Sequence, residues 1–286
     1  MPNSFGSRLQ KGFEKYGQLC VGIDPHAAIL ADWGLDDTVA GLERFAMEVL
    51  DASAERVGVI KPQVAFFERF GSAGLAVLER LASKAQQTDL LVIMDAKRGD
   101  IGSTMDGYFD AWLSKTAPFV CDAVTLSPYL GFDSFTNVLS EALENKKGLF
   151  VLAATSNPEG KEIQRAKFGN RTIAADIWAS LEKANKVNAR ANAQIGSFGA
   201  VVGATLNLNA YGLGDVQTES GQLTPILAPG FGAQGAALDE IGDLFGASAN
   251  RVLASVSRSV LSAGAAGIAS AIDLAKTQLA AGLTHA

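Results

Sequence analysis

The segment from Val92 to Thr104, Val-Ile-Met-Asp-Ala-Lys-Arg-Gly-Asp-Ile-Gly-Ser-Thr, sets charged groups at the end of an apolar run. Leu90 to Met94 has the unbroken hydrophobicity of a strand covered on both faces. Side chains alternate along a strand, so Asp95 and Lys97 point to one side and Ala96 to the other. Asp100 follows three residues later, where Gly99 lets the chain turn into a helix starting near Ile101. Two carboxylates and an ammonium this close shift one another's pKa, and such clusters concentrate at active sites. The plainer reading is a salt-bridged strand end, because a short Asp-x-Lys-x-x-Asp pattern also arises by chance.

Other elements must position this cluster. Strand candidates are Leu19–Ile23, Val57–Ile60, Leu90–Met94, Ala123–Leu126, Leu149–Ala153, Gly199–Val202, Ile226–Ala228 and Val252–Val256. Amphipathic stretches separate them: Thr38–Ser53, Val64–Gln86, Thr104–Lys115, Ser134–Asn145, Ile173–Ala193 and Ala236–Phe245. Eight such units are the count that closes an α/β parallel barrel, the (β/α)8 or TIM barrel, with helices outside. Asn207 to Ser220 fits least, since Gly and Asn spoil the helical period. Ser156 to Asn170 is the longest irregular stretch and reads as an active-site loop or lid. With no low-complexity linker, residues 1–286 are expected to form one domain, entered through a short N-terminal helix carrying Phe5, Leu9 and Phe13 at four-residue spacing.

A barrel demands that catalytic groups sit at the C-terminal ends of its strands. Asp24-Pro25-His26, Lys61-Pro62, Asp95-Ala96-Lys97, Thr155-Ser156-Asn157-Pro158 and Ser257-Arg258-Ser259 all fall there. The glycine-rich Pro229–Gly235 after the seventh strand lets backbone N–H groups approach an anion, and a helix after the eighth adds its N-terminal dipole. Arg258 can fork onto phosphate oxygens and the Gln234 amide can close over them. Singly, these segments are a β–α turn and a surface salt bridge; on adjacent strands they make a phosphate site.

Composition excludes several classes. The chain of 286 residues is 48% apolar, has 30 glycines and carries a net charge of −6, with both signs interleaved. No basic stripe suits nucleic acid and no polybasic segment suits an anionic membrane. Cys20 and Cys121 lie in or beside apolar runs without metal-ligand spacing, as small hydrophobes of a reducing compartment. Met1 to Gly17 lacks the apolar core of a signal peptide. Leu261 to Leu283 is interrupted by Asp273 and Lys276, which favours a packed surface helix over a membrane span. A cytoplasmic protein is expected. His26 reads as a loop histidine and His285 lies at the tail, so acid–base work falls to Lys and Asp.

Taken in order, Val21-Gly22-Ile23-Asp24-Pro25-His26, Ile60-Lys61-Pro62, Asp95-Ala96-Lys97-Arg98-Gly99-Asp100-Ile101, Thr155-Ser156-Asn157-Pro158 and Pro229-Gly230-Phe231-Gly232-Ala233-Gln234-Gly235 resemble the orotidine 5′-phosphate decarboxylase family. The length and the Asp-Pro-His and Thr-Ser-Asn-Pro details are similar to its second, mycobacterial-like subfamily. The resemblance implies conversion of orotidine 5′-monophosphate to uridine 5′-monophosphate and CO2 in de novo pyrimidine synthesis, with no cofactor and no metal. It implies Lys97 as stabiliser of charge at C6 and proton donor, held by Asp95 and Asp100, with Lys61 completing a Lys-Asp-Lys-Asp array. Asp24 and Lys61 match groups on the ribose hydroxyls, and Ser156 matches the group reading the pyrimidine edge. Asp100 and Thr104 match residues that reach the neighbouring subunit's site, which implies a homodimer with shared sites. Two places depart: the irregular sixth helical region, and Ser257, where the family commonly has glycine.

Hexulose-phosphate synthases share the barrel and the Asp-x-Lys-x-x-Asp element, but their magnesium-dependent enediolate chemistry needs a carboxylate where Lys61 stands. A Schiff-base aldolase needs a neutral lysine, whereas flanking aspartates favour an ammonium at Lys97. A non-catalytic phosphate-ligand binding barrel is the third alternative, and an absorbance assay with orotidine monophosphate separates it from an enzyme.

Overall fold

Eight parallel strands close on themselves in the computed structural model, which describes residues 4–188 and 194–284. They are β1 (Leu19–Ile23), β2 (Val59–Pro62), β3 (Leu91–Arg98), β4 (Ala123–Leu126), β5 (Gly148–Ala154), β6 (Phe198–Val202), β7 (Ile226–Pro229) and β8 (Val252–Val256). The neighbour order is β1-β8-β7-β6-β5-β4-β3-β2, and β1 seals the ring by pairing Leu19 with Ala254 and Cys20 with Ser255 on β8. Three of the eight match the ranges expected from sequence to the residue; the others start or end one to four residues away.

The longer helices are α1 (Phe5–Tyr16), α2 (Val39–Ser53), α3 (Gly71–Ala85), α4 (Gly102–Trp112), α5 (Thr136–Glu144), α6 (Ile173–Asn188) and α7 (Gly264–Leu283). The strands are buried on both faces because the ring has two cores. One lies between strands and helices, with Phe45, Leu78, Trp112 and Ile272 among its members. The other fills the barrel, with Cys20, Val59, Ile93, Phe150 and Leu253. Period-two alternation carries the inner column upward, and at the C-terminal end it turns polar: Val59 leads to Lys61, Ile93 to Asp95, Ala123 to Thr125, and Leu253 to Ser255.

Several boundaries differ from the sequence expectation. The stretch 64–86 is two helices, Ala65–Glu68 and α3, broken at Gly71 with φ +62°. Asn207 to Ser220 holds a short 3-10 turn, Leu208–Tyr211, and a five-residue helix, Gly214–Thr218, which bury Leu208, Tyr211 and Val216 in place of one long helix. Ser156 to Asn170 is not structureless: it contains the helix Lys161–Gln164 and the first strand of a tiny hairpin, Lys167–Phe168 against Arg171–Thr172. The expected helix after β5 is described over Ile173–Asn188, and its remaining residues, 189–193, lie outside the described ones.

Helix α1 closes the N-terminal mouth. Ser4 caps it by accepting from Ser7 N at 3.2 Å. Phe5 and Leu9 are fully buried in the interior core, and the Phe5 ring meets Phe150 edge-on with centroids 6.0 Å apart. Gly148 has no side chain because a Cβ there would stand 2.3 Å from the Phe5 ring. Removing the plug opens a cavity: Phe5→Ala is expected to cost about 3–5 kcal/mol. Urea unfolding measures the loss, while kcat, set at the opposite mouth, stays at the native value.

Candidate active site

The polar end of the inner column borders a cavity of about 440 Å3 at the C-terminal mouth. Asp95 is 9% exposed and sits between two ammonium groups. Lys61 Nζ donates to its Oδ2 at 3.0 Å, and Lys97 Nζ donates to its Oδ1 at 2.6 Å. Burial alone pushes the Asp95 carboxyl up, but the charges and hydrogen bonds of Lys61 and Lys97 outweigh it and hold it well below the usual carboxylate range. Burial pulls the Lys61 ammonium down, yet Asp95 and Asp24 raise it above an ordinary lysine. The two lysines differ in access, the Lys61 side chain being 8% exposed and that of Lys97 44%. Lys97 is therefore the cation offered to a ligand.

Backbone geometry aims it there. Lys97 has φ +48°, a left-handed conformation that costs a non-glycine residue on the order of 1–3 kcal/mol. The register of β3 against β4 shifts between Met94 and Arg98, so the irregularity is built into the pairing. Thr125 pins it: its Oγ1 accepts from Lys97 N at 2.9 Å and donates to Asp95 Oδ1 at 2.9 Å. Sequence reasoning missed Thr125, although a polar residue inside the apolar Ala123–Leu126, two positions beyond Ala123, marks it as facing the barrel interior. It also missed Gln63, whose Nε2 donates to Asp95 O at 3.3 Å and whose Oε1 accepts from Lys97 Nζ at 3.5 Å.

Seven of the nine residues expected from sequence line this cavity: Asp24, Lys61, Asp95 and Lys97 on one side, Ser156, Gln234 and Arg258 on the other. Asp24 Oδ1 and Ser257 Oγ are buried there without hydrogen-bond partners. Ser156 Oγ donates to Gln234 Oε1 at 3.0 Å, tying the segment after β5 to the loop after β7. In that loop Gly232 has φ +73° and a Cβ would stand 2.7 Å from Ser259, so its turn against the short helix Arg258–Leu261 demands glycine. Arg258 opens a four-residue helix at the end of β8.

Asp100 and Thr104 do not reach this cavity within one chain. Strand β3 continues to Arg98 and then leads outward; Asp100 Oδ1 accepts from Ile101 N at 2.8 Å, and Thr104 is exposed on α4. Among the described residues Lys97 pairs only with Asp95, so one chain holds three members of the expected four-charge array. Gly99, expected to let the chain turn into the helix, does not have a positive φ. It is glycine because a Cβ would meet Ser127 O at 2.3 Å, and the turn falls at Gly102, φ +52°.

Cys20 and Cys121 are buried free thiols, each pushed up to about 12 by burial, and so remain neutral. Among the described residues no group of three His, Cys, Asp or Glu is arranged to hold a metal ion, and no helix is long and apolar enough to cross a membrane. His26 precedes the helix Ala27–Asp32 beside Phe66 and takes no part in the cavity.

A closed parallel ring with its charged and hydrogen-bonding groups gathered at the C-terminal strand ends defines a (β/α)8-barrel enzyme. Residues 17–271 match the model of the orotidine 5′-phosphate decarboxylase / HUMPS family. Over 259 residues the chain is 52% identical to the orotidine 5′-phosphate decarboxylase of Streptomyces coelicolor, covering 90% of this chain and 89% of that protein. The Nocardioides decarboxylase is 51% identical over 261 residues, covering 90% and 91%. A crystal structure of a Streptomyces avermitilis protein described as an orotidine 5′-phosphate decarboxylase superposes with TM-score 0.91 at 49% identity, covering 99% and 96%. The chain belongs to the orotidine 5′-phosphate decarboxylase / HUMPS family and is a carboxy-lyase.

The charge network makes a prediction about pH. Asp95→Asn strands two ammonium groups and is expected to destabilise the fold by about 3–5 kcal/mol at neutral pH. Because the native Asp95 pKa lies below the unfolded value of about 3.9, the native advantage is complete above about pH 5 and shrinks as pH falls below about 4. Lys61, raised above an unfolded value of about 10.4, holds its share below about pH 10 and loses it only as pH rises further. Denaturant titrations of both proteins across this range measure a difference that is flat between the two limits.

Proposed function

We propose that this enzyme converts orotidine 5′-monophosphate to uridine 5′-monophosphate and CO2, the closing step of pyrimidine nucleotide synthesis, without a cofactor. The observation that carries the reading is the half-exposed Lys97 ammonium, fixed at 2.6 Å from a buried, ionised Asp95 and facing the cavity. In the reaction the C6–carboxylate bond breaks, CO2 leaves, and the electron pair stays on C6. No carbonyl conjugated with that pair accepts it, so stabilisation must come from a charge already in position. Lys97 is that charge, and its Nζ proton then bonds to C6; solvent returns a proton to the amine. The reduction in barrier asked of the site is on the order of 20 kcal/mol.

Asp95 and Lys61 keep Lys97 in place, while Thr125 and Gln63 fix the strained backbone and amine. Asp24 and Lys61 suit the ribose hydroxyls, Ser156 the pyrimidine edge, and Gln234 with Arg258 the phosphate. The Ser156–Gln234 contact joins the two ends of that substrate, so phosphate binding can organise the base end. The synthase branch of the family is disfavoured by Lys61, a buried cation where a magnesium ion would need an anion. The 1–286 chain acts as one barrel domain in this reading, and free thiols at Cys20 and Cys121 suit the cytoplasm.

A homodimer with shared sites belongs to the same proposal. Asp100 and Thr104 stand outside their own cavity; Ile101 between them is 61% exposed, and Tyr129 at 79% and Leu130 at 53% are exposed in the loop after the neighbouring strand β4. A patch of that kind supports an interface, and a partner docked on it would receive Asp100 and Thr104. Mixed Lys97→Ala and Asp100→Ala protomers are expected to regain part of the activity, because some hybrid dimers carry one intact site. Confirmed subunit exchange with no return of activity sinks the shared site.

Substitutions at the two ends of the substrate test the chemistry. Arg258→Ala should weaken substrate binding by roughly ten- to a hundredfold, the worth of one charge-assisted contact. Lys97→Ala should nearly abolish turnover while product still binds, since charge and proton donor vanish together. Steady-state kinetics and nucleotide titration separate the outcomes, and the native activity should survive EDTA. Retention of most kcat by Lys97→Ala defeats the assignment; loss to EDTA restored by magnesium favours the synthase chemistry.

A further inference from the structure

A second hollow, a groove of about 700 Å3, lies between the segment after β5 and the turn Leu208–Tyr211. Its walls carry Lys161, Arg165, Lys167 and Arg171 against one carboxylate, Glu162, in a chain whose net charge is −6. Among the described residues none of these four cations forms an ion pair. Like charges gathered without counter-charges raise the local potential and repel one another, a cost that a bound anion relieves. Arg165 is held at the rim: its Nε donates to Ala210 O at 3.0 Å and its guanidinium lies 6.0 Å from the Tyr211 ring centroid. Its terminal nitrogens have no hydrogen-bond partner among the described residues. Lys167 and Arg171 face each other's strand across the hairpin, where Lys167 pairs with Thr172 and Phe168 with Arg171. Asn170 and Asn209 add neutral polar groups.

Guanidiniums fork onto phosphate oxygens and lysines follow them as point charges. The volume suits a small molecule, whose pockets run from about 300 to 1,000 Å3. We propose that this groove binds a small oligophosphate, either inorganic or the polyphosphate tail of a nucleotide, at a site separate from the catalytic cavity. The same helix, Lys161–Gln164, serves both hollows. Lys161 and Glu162 line the groove, while Gln164 lines the catalytic cavity and grips Thr155, accepting from its N at 2.9 Å and donating to its Oγ1 at 2.7 Å. Thr155 immediately precedes Ser156. An anion that fixes this helix thus fixes the wall of the catalytic cavity, and the substrate KM reads its occupancy.

Calorimetric titration of the full chain with tripolyphosphate tests the site. Arg258→Ala, altered only at the catalytic mouth, should retain one salt-sensitive site per chain. Lys167→Gln/Arg171→Gln should lose affinity by roughly tenfold or more, the worth of at least one charge-assisted contact. Lys161→Gln/Arg165→Gln, on a different element, should lose it similarly. Without the anion, Lys167→Gln/Arg171→Gln should turn over substrate as the native chain does; on adding it, only the native KM should move, and neither double variant's own KM. A nucleoside triphosphate binding as tightly as tripolyphosphate assigns the tail alone, and tighter binding adds the nucleoside; both support the site. Binding abolished by Arg258→Ala and untouched by the double variants overturns the proposal, since the anion then enters the catalytic cavity. Capture of single-stranded DNA by these cations with no affinity for tripolyphosphate also overturns it, and binding with an unmoved native KM overturns the coupling.

Discussion

One buried carboxylate organises the C-terminal mouth of this barrel. Asp95 accepts from Lys61, Lys97 and Thr125, three donors from strands β2, β3 and β4. Without them an ionised carboxylate inside the ring would be expelled or protonated. Without the carboxylate, only the charge of Asp24 and weaker contacts would offset the burial of the Lys61 ammonium. The mutual dependence also explains why the inner column can abandon hydrophobic packing in its top layer: the layer is held by charge in place of volume. Stability and chemistry draw on the same contact, and of the two lysines Lys97 is the more open to the cavity, its side chain 44% exposed against 8% for Lys61.

The strain at Lys97 belongs to the same arrangement. A left-handed lysine persists only where its surroundings over-determine it, and here Thr125 holds the peptide nitrogen while Asp95 holds the amine. The bulged pairing with β4 separates Asp95 from Lys97 by two residues yet turns both side chains toward one point. Position is fixed before any ligand arrives, which is the condition for electrostatic stabilisation without reorganisation.

Much of this was legible in the chain itself. The eight buried strands read as continuous apolar runs because both faces are covered, and the polar residues just past them marked the site. The errors have physical causes. Strands β2 and β3 run past Ile60 and Met94 because backbone pairing continues where hydrophobicity stops, once Lys61 and Asp95 neutralise each other. The break at Gly71 was hidden inside an unbroken amphipathic pattern. Thr125 and Gln63 escaped notice because their roles exist only between strands distant in sequence. Gly99 answers to the carbonyl of Ser127, a neighbour that no local pattern announces.

Helix α1 gives the fold a temporal order. It precedes every strand of the ring in the chain, yet its apolar face has nothing to bury against until the ring exists. Phe5 needs Gly148 and Phe150 of β5, Gly6 N donates to Ser197 Oγ just before β6, and Arg8 pairs with Asp122 just before β4. These contacts join residues 114 to 191 positions apart in the chain, and long-range closures of this kind are slow because loop entropy is lost before they form. During synthesis the amphipathic first helix must wait, exposed, for partners that have yet to leave the ribosome. The stretch most open to capture by chaperones is therefore the one that finally latches the barrel.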